Sequence, residues 1–453
     1  MASDPDTSLS KTEEVKNILQ SLLETTEDDQ TEENILQLIE QYDGLESLSR
    51  NDVLCHIAAQ HGSDISDNLV KEVPLCDTSE LPYNLVFSNI AKNERGVRFL
   101  VDLRADLLAS LKQQDESKKT MLQQLSLTLK TILSDLFNVD SLVLVRVTLD
   151  SPKLLERVGA LEAVHPVRDQ ADLEARVGKY RRCFVLTHPS MLREPLVIFH
   201  VALTQEIAGS LNDVTLKDVD KLSESEVPEK VQAAMFYSIS STQPGLAGLR
   251  LASVMIEKSV SSLRTEFPDL QVFSTLSPIP GFRSWLLEAL RKATKSKNEV
   301  FNAEEARMIE ASLGRGDPNL LLLNYLNNLS NLSDEIEALE DLKPILLRLA
   351  ARYLCLEKKG YSALNPVANF HLNNGATIWR INWMADVSFK GIDASLGLMV
   401  NYRYFLDRWD NWILLRKFLP MRLLEGNYRH NGCSQSCRLK IFRSSQTILI
   451  VFF

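Results

Sequence analysis

Long apolar runs, paired cysteines and an excess of basic charge are all missing from this sequence of 453 residues. No uncharged stretch reaches the roughly 20 residues that a bilayer-spanning helix needs, so no membrane span is expected. Against 50 basic residues stand 60 acidic ones, and the net charge of −10 argues against general affinity for nucleic acid or anionic lipid. Any anionic ligand must then be held by a local feature. The six cysteines, Cys55, Cys76, Cys183, Cys355, Cys433 and Cys437, form no CxxC pair, which suits a reducing compartment and not a disulfide framework. The polar start MASDPDTSLSKTEE resembles neither a signal peptide nor an Arg-rich transit peptide; with no terminal SKL, the cytosol is the compartment expected by default, with two organelles, the mitochondrion and the peroxisome, as the alternatives.

Catalytic signatures are also scarce. A GxSxG elbow, a GxxxxGK(S/T) loop and a strand-placed GxGxxG are absent, which removes the anchors of serine hydrolase, nucleotidase and Rossmann dehydrogenase readings. His56, His61, His165, His188 and His200 show no HxH, HxxxH or HExxH spacing, and His430, Cys433 and Cys437 form the one compact group, so no metal site is expected. Neither a fixed-period repeat nor a low-complexity segment interrupts the chain.

What is present divides the chain in three. Residues 1–138 carry repeated helical periodicity, as in Val97, Leu100, Val101, Leu107, Leu108 and Leu111, or Leu122, Leu125, Leu129, Leu133 and Leu136, and predict a helical bundle. From 139 to 407 β-branched runs (SLVLVRVTL, CFVLTH, EPLVIFHVALT, AAMFYSIS, QVFSTLSP, ATIWRINWMAD) alternate with helices, which predicts an α/β domain around one sheet. A helical insertion is expected at about 300–358, with Pro344 near a helix start or a kink. Residues 408–453 form an atypical tail, basic and then apolar, ending in TILIVFF.

Three stretches can carry chemistry. In FYSISSTQPGLAGLRLASV a buried strand meets a turn with Gly245 and Gly248 before a helix, a shape that either cradles an anion on backbone N–H groups or is simply a turn. In FSTLSPIPGF the prolines Pro278 and Pro280 lack N–H donors and should stop the strand, which leaves Ser277 at a cleft edge, capping the helix that follows or bonding its own turn. In NPVANFHLNNGATIWRINW, His371 lies among Asn365, Asn369, Asn373 and Asn374 with Trp379 and Trp383 close behind; it is either a structural hydrogen-bonding group or a proton donor suited to neutral pH.

Taken in order, GVRFLVDLRADLL, YRRCFVLTH, EPLVIFHVALT, FPDLQVFSTLSPIPGF, GYSALNPVANFHLNNGA and WRINWMADVSFKGI with GLMVNYRYFL resemble the malonyl-CoA decarboxylase family from about residue 80 to 407. The resemblance implies a helical N-terminal domain, a C-terminal domain of the acyl-CoA N-acetyltransferase fold, a homo-oligomer, and conversion of malonyl-CoA to acetyl-CoA and CO₂ without metal or organic cofactor. It implies Ser277 and His371 as catalytic residues, Ser238 and Tyr404 as supporting ones, and Gln243, Gly245, Leu246, Ala247 and Gly248 as the turn that holds CoA. Arg250 departs from the family, whose members often carry an acidic residue in the helix after this turn, so no role transfers to it. The competing readings are an acyltransferase using the same CoA site and an inactive isoform with an altered C-terminus.

The tail also departs from the family, and its uncharged, β-prone end is an aggregation hazard unless buried. It is expected to lower stability or solubility. A thermal melt checks this: the chain cut after Asp407 should unfold at a higher temperature than the intact chain.

Overall fold

A computed structural model of the chain describes residues 5–24, 28–62, 82–113, 116–191, 194–215, 226–296, 300–329, 336–360, 362–406, 440–444 and 447–451. Two compact units emerge, and they interleave along the chain. The first comprises Met1–Val167, Phe184–Phe199 and Ile239–Ser259; the second comprises Arg168–Cys183, His200–Ser238 and Val260–Phe453.

The first unit opens with α1 (Pro5–Glu24), α2 (Asp28–Asp43), α3 (Ser47–Gly62), α4 (Pro82–Lys92), α5 (Gly96–Ser110) and α6 (Glu116–Leu136), followed by β1 (Val143–Val147) and α7 (Pro152–Leu161). The expected bundle is present because the leucine periodicity gives each helix one apolar stripe. On α6 Leu122, Leu125, Leu129 and Leu133 are all buried, as are Val97, Leu100, Val101 and Leu107 on α5. Burying one such side chain contributes about 2 kcal/mol, so four in line outweigh the weak intrinsic propensity of a single helix.

The remaining elements in chain order are α8 (Gln170–Ala175), β2 (Arg181–Thr187), β3 (Val197–Thr204), α9 (Leu211–Val214), β4 (Ala233–Ser241), α10 (Leu251–Glu266), β5 (Val272–Thr275), β6 (Ser277–Pro278) and α11 (Phe282–Ser296). Then come α12 (Ala303–Leu313), α13 (Pro318–Asn328), α14 (Ile336–Cys355), β7 (Lys358–Lys359), β8 (Ser362–Ala363), α15 (Pro366–Asn373), β9 (Thr377–Asn382), α16 (Phe389–Ser395), β10 (Met399–Tyr404), β11 (Lys440–Ser444) and β12 (Thr447–Val451).

The sheet runs β1-β2-β3-β4-β5-β10-β9-β12-β11, with β6 also beside β10. Strands β2 and β3 are buried along nearly their whole length, which explains their continuous apolar runs in place of polar alternation. Strand β4 pairs parallel with β5, and α10 supplies the crossover that a parallel pair requires. Strand β10 pairs antiparallel with β5 on one side and β9 on the other. The expected helical insertion is α12, α13 and α14. Asn302 opens α12 with a capping box closed by Glu305, Asp317 and Pro318 open α13, and Pro344 lies inside α14.

Two expectations need correction. The ladder does not end before Ser277: after Leu276 it resumes with Val400 opposite Ser277 and Met399 opposite Pro278, a two-residue strand end where a missing N–H is tolerated. Ser277 does not cap the following helix either, since its hydroxyl is engaged by Thr275 and His371. Of the tail, 408–439 lies outside the described residues, while Thr447–Val451 extends the sheet beside β9, as its β-prone composition suggested.

In the second unit the guanidinium of Arg182, almost wholly buried, is held by Glu226 at 2.9 Å and Glu266 at 2.6 Å and lies over the Phe267 ring. Its two partners hold its pKa above the ordinary value despite desolvation by burial, the largest single effect. Replacing Arg182 by Leu leaves both carboxylates without their cation. The urea midpoint should fall by an amount equal to about 3 kcal/mol, whereas a neutral outcome would show that the triad stabilises nothing.

Candidate active site

The second unit brings three separate stretches together. Helix α15 is short and sharply started: Asn365 caps it by accepting from the Ala368 N–H, and Pro366 follows at the first helical position. The same Asn365 side chain donates to the Pro280 carbonyl at 3.0 Å, and the Tyr353 hydroxyl donates to that carbonyl at 2.9 Å. One asparagine therefore fixes both the helix that carries His371 and the SPIP segment that carries Ser277. Strand β10 delivers Tyr402 and Tyr404 from the sheet; a register shift against β9 falls between Asn401 and Tyr402.

The side chains meet in a chain of hydrogen bonds. His371 Nε2 lies 3.2 Å from Ser277 Oγ, and His371 Nδ1 lies 3.0 Å from the Tyr404 hydroxyl. The Ser277 hydroxyl donates to Thr275 Oγ1 at 2.9 Å. Relative exposures are 5% for His371, 6% for Ser277 and 1% for Tyr404. The imidazole stacks on the Tyr402 ring, centroids 4.5 Å apart, and takes the Phe370 ring edge-on at 4.9 Å.

Burial decides the charge state. Desolvation pushes the His371 pKa down from 6.5 to about 3, so the imidazole is neutral, and it pushes the phenol of Tyr404 well up, so that group stays protonated. Below pH 6.5 the unfolded chain takes up a proton that the folded site refuses, so His371 lowers stability progressively as the pH falls toward about 3. A neutral imidazole flanked by two hydroxyls can pass a proton in either direction, and a dry aromatic wall raises the worth of every donor aimed at a reacting atom.

Ser238 lies buried on β4, two residues beyond Phe236 as Ser277 lies two beyond Thr275, and Phe236 and Thr275 are register partners. The stretch Gln243–Gly248 belongs to the first unit. Its central residues Pro244–Leu246 form a 3-10 turn whose bonds occupy the Leu246 and Ala247 N–H groups. Gly245 admits no side chain, since a Cβ there would sit 1.8 Å from the Val101 carbonyl oxygen of α5. Gly248 has φ +81°, and a Cβ there would sit 3.5 Å from the Lys130 ammonium.

Several participants escaped the sequence reading. Arg104 on α5 donates to the carbonyls of Gly245 and, at 2.9 Å, Ala247, so it braces the turn from its carbonyl side. A charged residue on the apolar stripe of a helix, as Arg104 is beside Leu100 and Leu107, was the available signal. Thr275, Asn401 and Tyr402 join the site in the second unit, and only the alternation within LMVNYRYF hinted at the strand that carries two of them. A separate cleft of about 350 Å³ in the first unit, with Phe99, Asp102 and Met191 in its lining, contains none of the residues named for catalysis.

Fold and site define a two-part protein, helical first and mixed-sheet second, with an uncharged Tyr–His–Ser chain buried in the second part. Residues 140–412 match the family described as Malonyl-CoA decarboxylase C-terminal domain, and residues 49–137 match Malonyl-CoA decarboxylase N-terminal domain. The chain is 44% identical to the mitochondrial malonyl-CoA decarboxylase of Anser anser anser over 328 residues, which are 72% of this chain and 64% of that relative. Identity is also 44% to the mitochondrial malonyl-CoA decarboxylase of Rattus norvegicus over 330 residues, 72% of this chain and 66% of that one. Among solved structures, the malonyl-CoA decarboxylase of Rhodopseudomonas palustris superposes with a TM-score of 0.69 at 28% identity, covering 88% of this chain and 94% of that one. For the enzyme of Agrobacterium vitis the TM-score is 0.71 at 26% identity, with the same coverages of 88% and 94%. This chain belongs to the malonyl-CoA decarboxylase family, and it spans 64% to 66% of the length of these curated relatives.

The Tyr402 hydroxyl is buried and has no hydrogen-bond partner among the described residues, while its ring carries the stack on His371. Tyr402→Phe removes the orphan group and keeps the ring. Chemical denaturation should show stability unchanged or raised by up to about 1 kcal/mol; a loss of more than that would mean the hydroxyl has a partner.

Proposed function

We propose that this chain decarboxylates malonyl-CoA to acetyl-CoA and CO₂, with His371 and Ser277 catalytic and Tyr404 and Ser238 supporting. The observation that carries this reading is the 3.2 Å approach of the His371 imidazole to the Ser277 hydroxyl, two groups 94 residues apart in sequence and both buried. The relatives' names supply the substrate. In this reading residues 1–138 are a helical domain, 139–407 the catalytic domain and 408–453 an appended tail, in a homo-oligomer. The compartment proposed is that of the mitochondrial relatives, in place of the cytosol that the N-terminal residues suggest.

The reaction needs a dry site more than it needs an electron sink. Breaking the bond between Cα and the carboxyl carbon sends its electron pair into the thioester, CO₂ leaves, and an enolate remains. A preorganised donor to that oxygen is worth about 3 kcal/mol. The arriving malonyl carboxylate offsets the desolvation that keeps His371 neutral, so the imidazole takes up one proton from water beside it. When the carboxylate departs as uncharged CO₂, the Nε2 proton facing Ser277 passes to Cα, and the neutral imidazole, left with its proton on Nδ1, returns to the Nε2–H form by exchange with solvent. One proton is taken up per turnover and acetyl-CoA is released. The turn Gln243–Gly248, braced by Arg104 and with Lys130 beside Gly248, is proposed to hold the CoA phosphates.

Mass spectrometry of the purified protein with malonyl-CoA alone tests the assignment. Acetyl-CoA and CO₂ are expected without any acceptor; an acyltransferase would leave the malonyl thioester intact until an amine was added, and an inactive isoform would bind CoA without turnover. His371→Asn should lower the rate by about 10²–10⁴ with CoA binding nearly unchanged, and retained activity removes His371 from the mechanism.

A further inference from the structure

We propose that Thr275 is a positioning residue that sets the direction of the hydrogen-bond chain through Ser277 and His371, and so places the single proton of the neutral imidazole on Nε2. The proposal rests on the decarboxylase reading for its purpose, but its observations are independent of substrate.

Thr275 Oγ1, buried at the end of β5, receives two hydrogen bonds. The Tyr402 N–H donates to it at 3.0 Å, and an amide can only donate; the Ser277 hydroxyl donates to it at 2.9 Å. Both of its lone pairs are then occupied. With its proton directed to Thr275, Ser277 Oγ faces His371 as an acceptor, and the contact at 3.2 Å requires the proton on Nε2. At the other end the Tyr404 hydroxyl, which burial keeps protonated, has His371 Nδ1 at 3.0 Å as acceptor. The sequence Tyr404 to His371 to Ser277 to Thr275 thus has one polarity, and bonds aligned in this way reinforce one another.

The anchor is itself held. Asn401, fully buried, donates to the Thr275 carbonyl at 2.7 Å and to the Ala208 carbonyl at 3.0 Å, while its own oxygen accepts from Arg380 Nε at 3.1 Å and Asn382 Nδ2 at 2.9 Å. Every hydrogen-bonding site on that amide is matched, so the amide orientation and the Thr275 backbone are fixed together. The Thr275 backbone is thus held by Asn401, and its Oγ1 is oriented by the Tyr402 N–H.

Imidazole nitrogen NMR on histidine-labelled protein reads the proton position directly, with the His371 signals identified by their loss in His371→Asn. In the unmodified protein Nε2 should carry the proton and Nδ1 should not. Thr275→Val, equal in size but without a hydroxyl, should shift population to the Nδ1–H form and lower kcat about tenfold, the worth of one hydrogen bond, with KM for malonyl-CoA unchanged. Thr275→Ser should restore both. A proton on Nδ1 in the unmodified protein overturns the proposal even if Thr275→Val does not fold, and an unmoved Nε2 proton in a folded Thr275→Val overturns it as well. If the ring responds as expected but malonyl-CoA is not decarboxylated, the positioning role stands and the decarboxylase reading falls.

Discussion

An imidazole kept uncharged by burial is the constraint around which the second unit is organised. His371 is enclosed by the face of Tyr402, the edge of Phe370 and two hydroxyl groups, and this burial pushes its pKa down from 6.5 to about 3. Such enclosure is favoured when the neighbours' own polar groups are satisfied elsewhere, because an unmatched buried dipole is costly, and among these neighbours the Tyr402 hydroxyl is the exception. The capping asparagine Asn365, the clamp at Asn401 and the doubly used Thr275 hydroxyl are the arrangements that satisfy them.

The same logic governs the first unit at Arg104. A guanidinium buried between helices needs acceptors, and the carbonyls of Gly245 and Ala247 provide them. The consequence reaches beyond the pair. Carbonyls tied back to an arginine leave the turn's remaining amides to point elsewhere, and the absence of a side chain at Gly245 lets the turn lie directly on α5. Composition had suggested that an acidic chain must hold an anion through a local device, and a turn braced in this way, with the Lys130 ammonium close to Gly248, has that character.

The parts legible in the sequence were those governed by periodicity. Leucines at helical spacing specified α5 and α6 because burial of one stripe is their dominant interaction, and continuous β-branched runs specified β2, β3 and β4 because those strands are covered on both faces. Less legible was anything decided by a partner distant in sequence. Strand β10 was read as a site motif and not as a strand, since Asn401 and Arg403 interrupt its apolar character; Asn401 is buried only because Arg380, Asn382, Thr275 and Ala208 converge on it. Proline gave a misleading signal at Ser277. Regular pairing with β4 does end at Thr275, but β10 on the other side continues the ladder for two more residues. His371 and Ser277 stood out from their surroundings, where each kept a structural alternative, whereas Tyr404 came from resemblance alone.

In the proposed reaction, the low proton affinity of His371 also discriminates between substrate and product. An uncharged acetyl thioester brings nothing to offset desolvation, so the imidazole beside it stays neutral and has no proton to spare for its α-carbon. A malonyl thioester brings a carboxylate, and an opposite charge within about 4–6 Å favours the protonated ring. The acid is therefore generated by the group that is about to leave. Departure of that group as CO₂ removes the stabilising charge at the moment the enolate forms, when the proton is most acidic and the carbon most basic. Ordinary histidine at its solution pKa would be partly protonated with either ligand and would lose this distinction, so under the proposed mechanism the depth of burial serves the reaction as well as the packing.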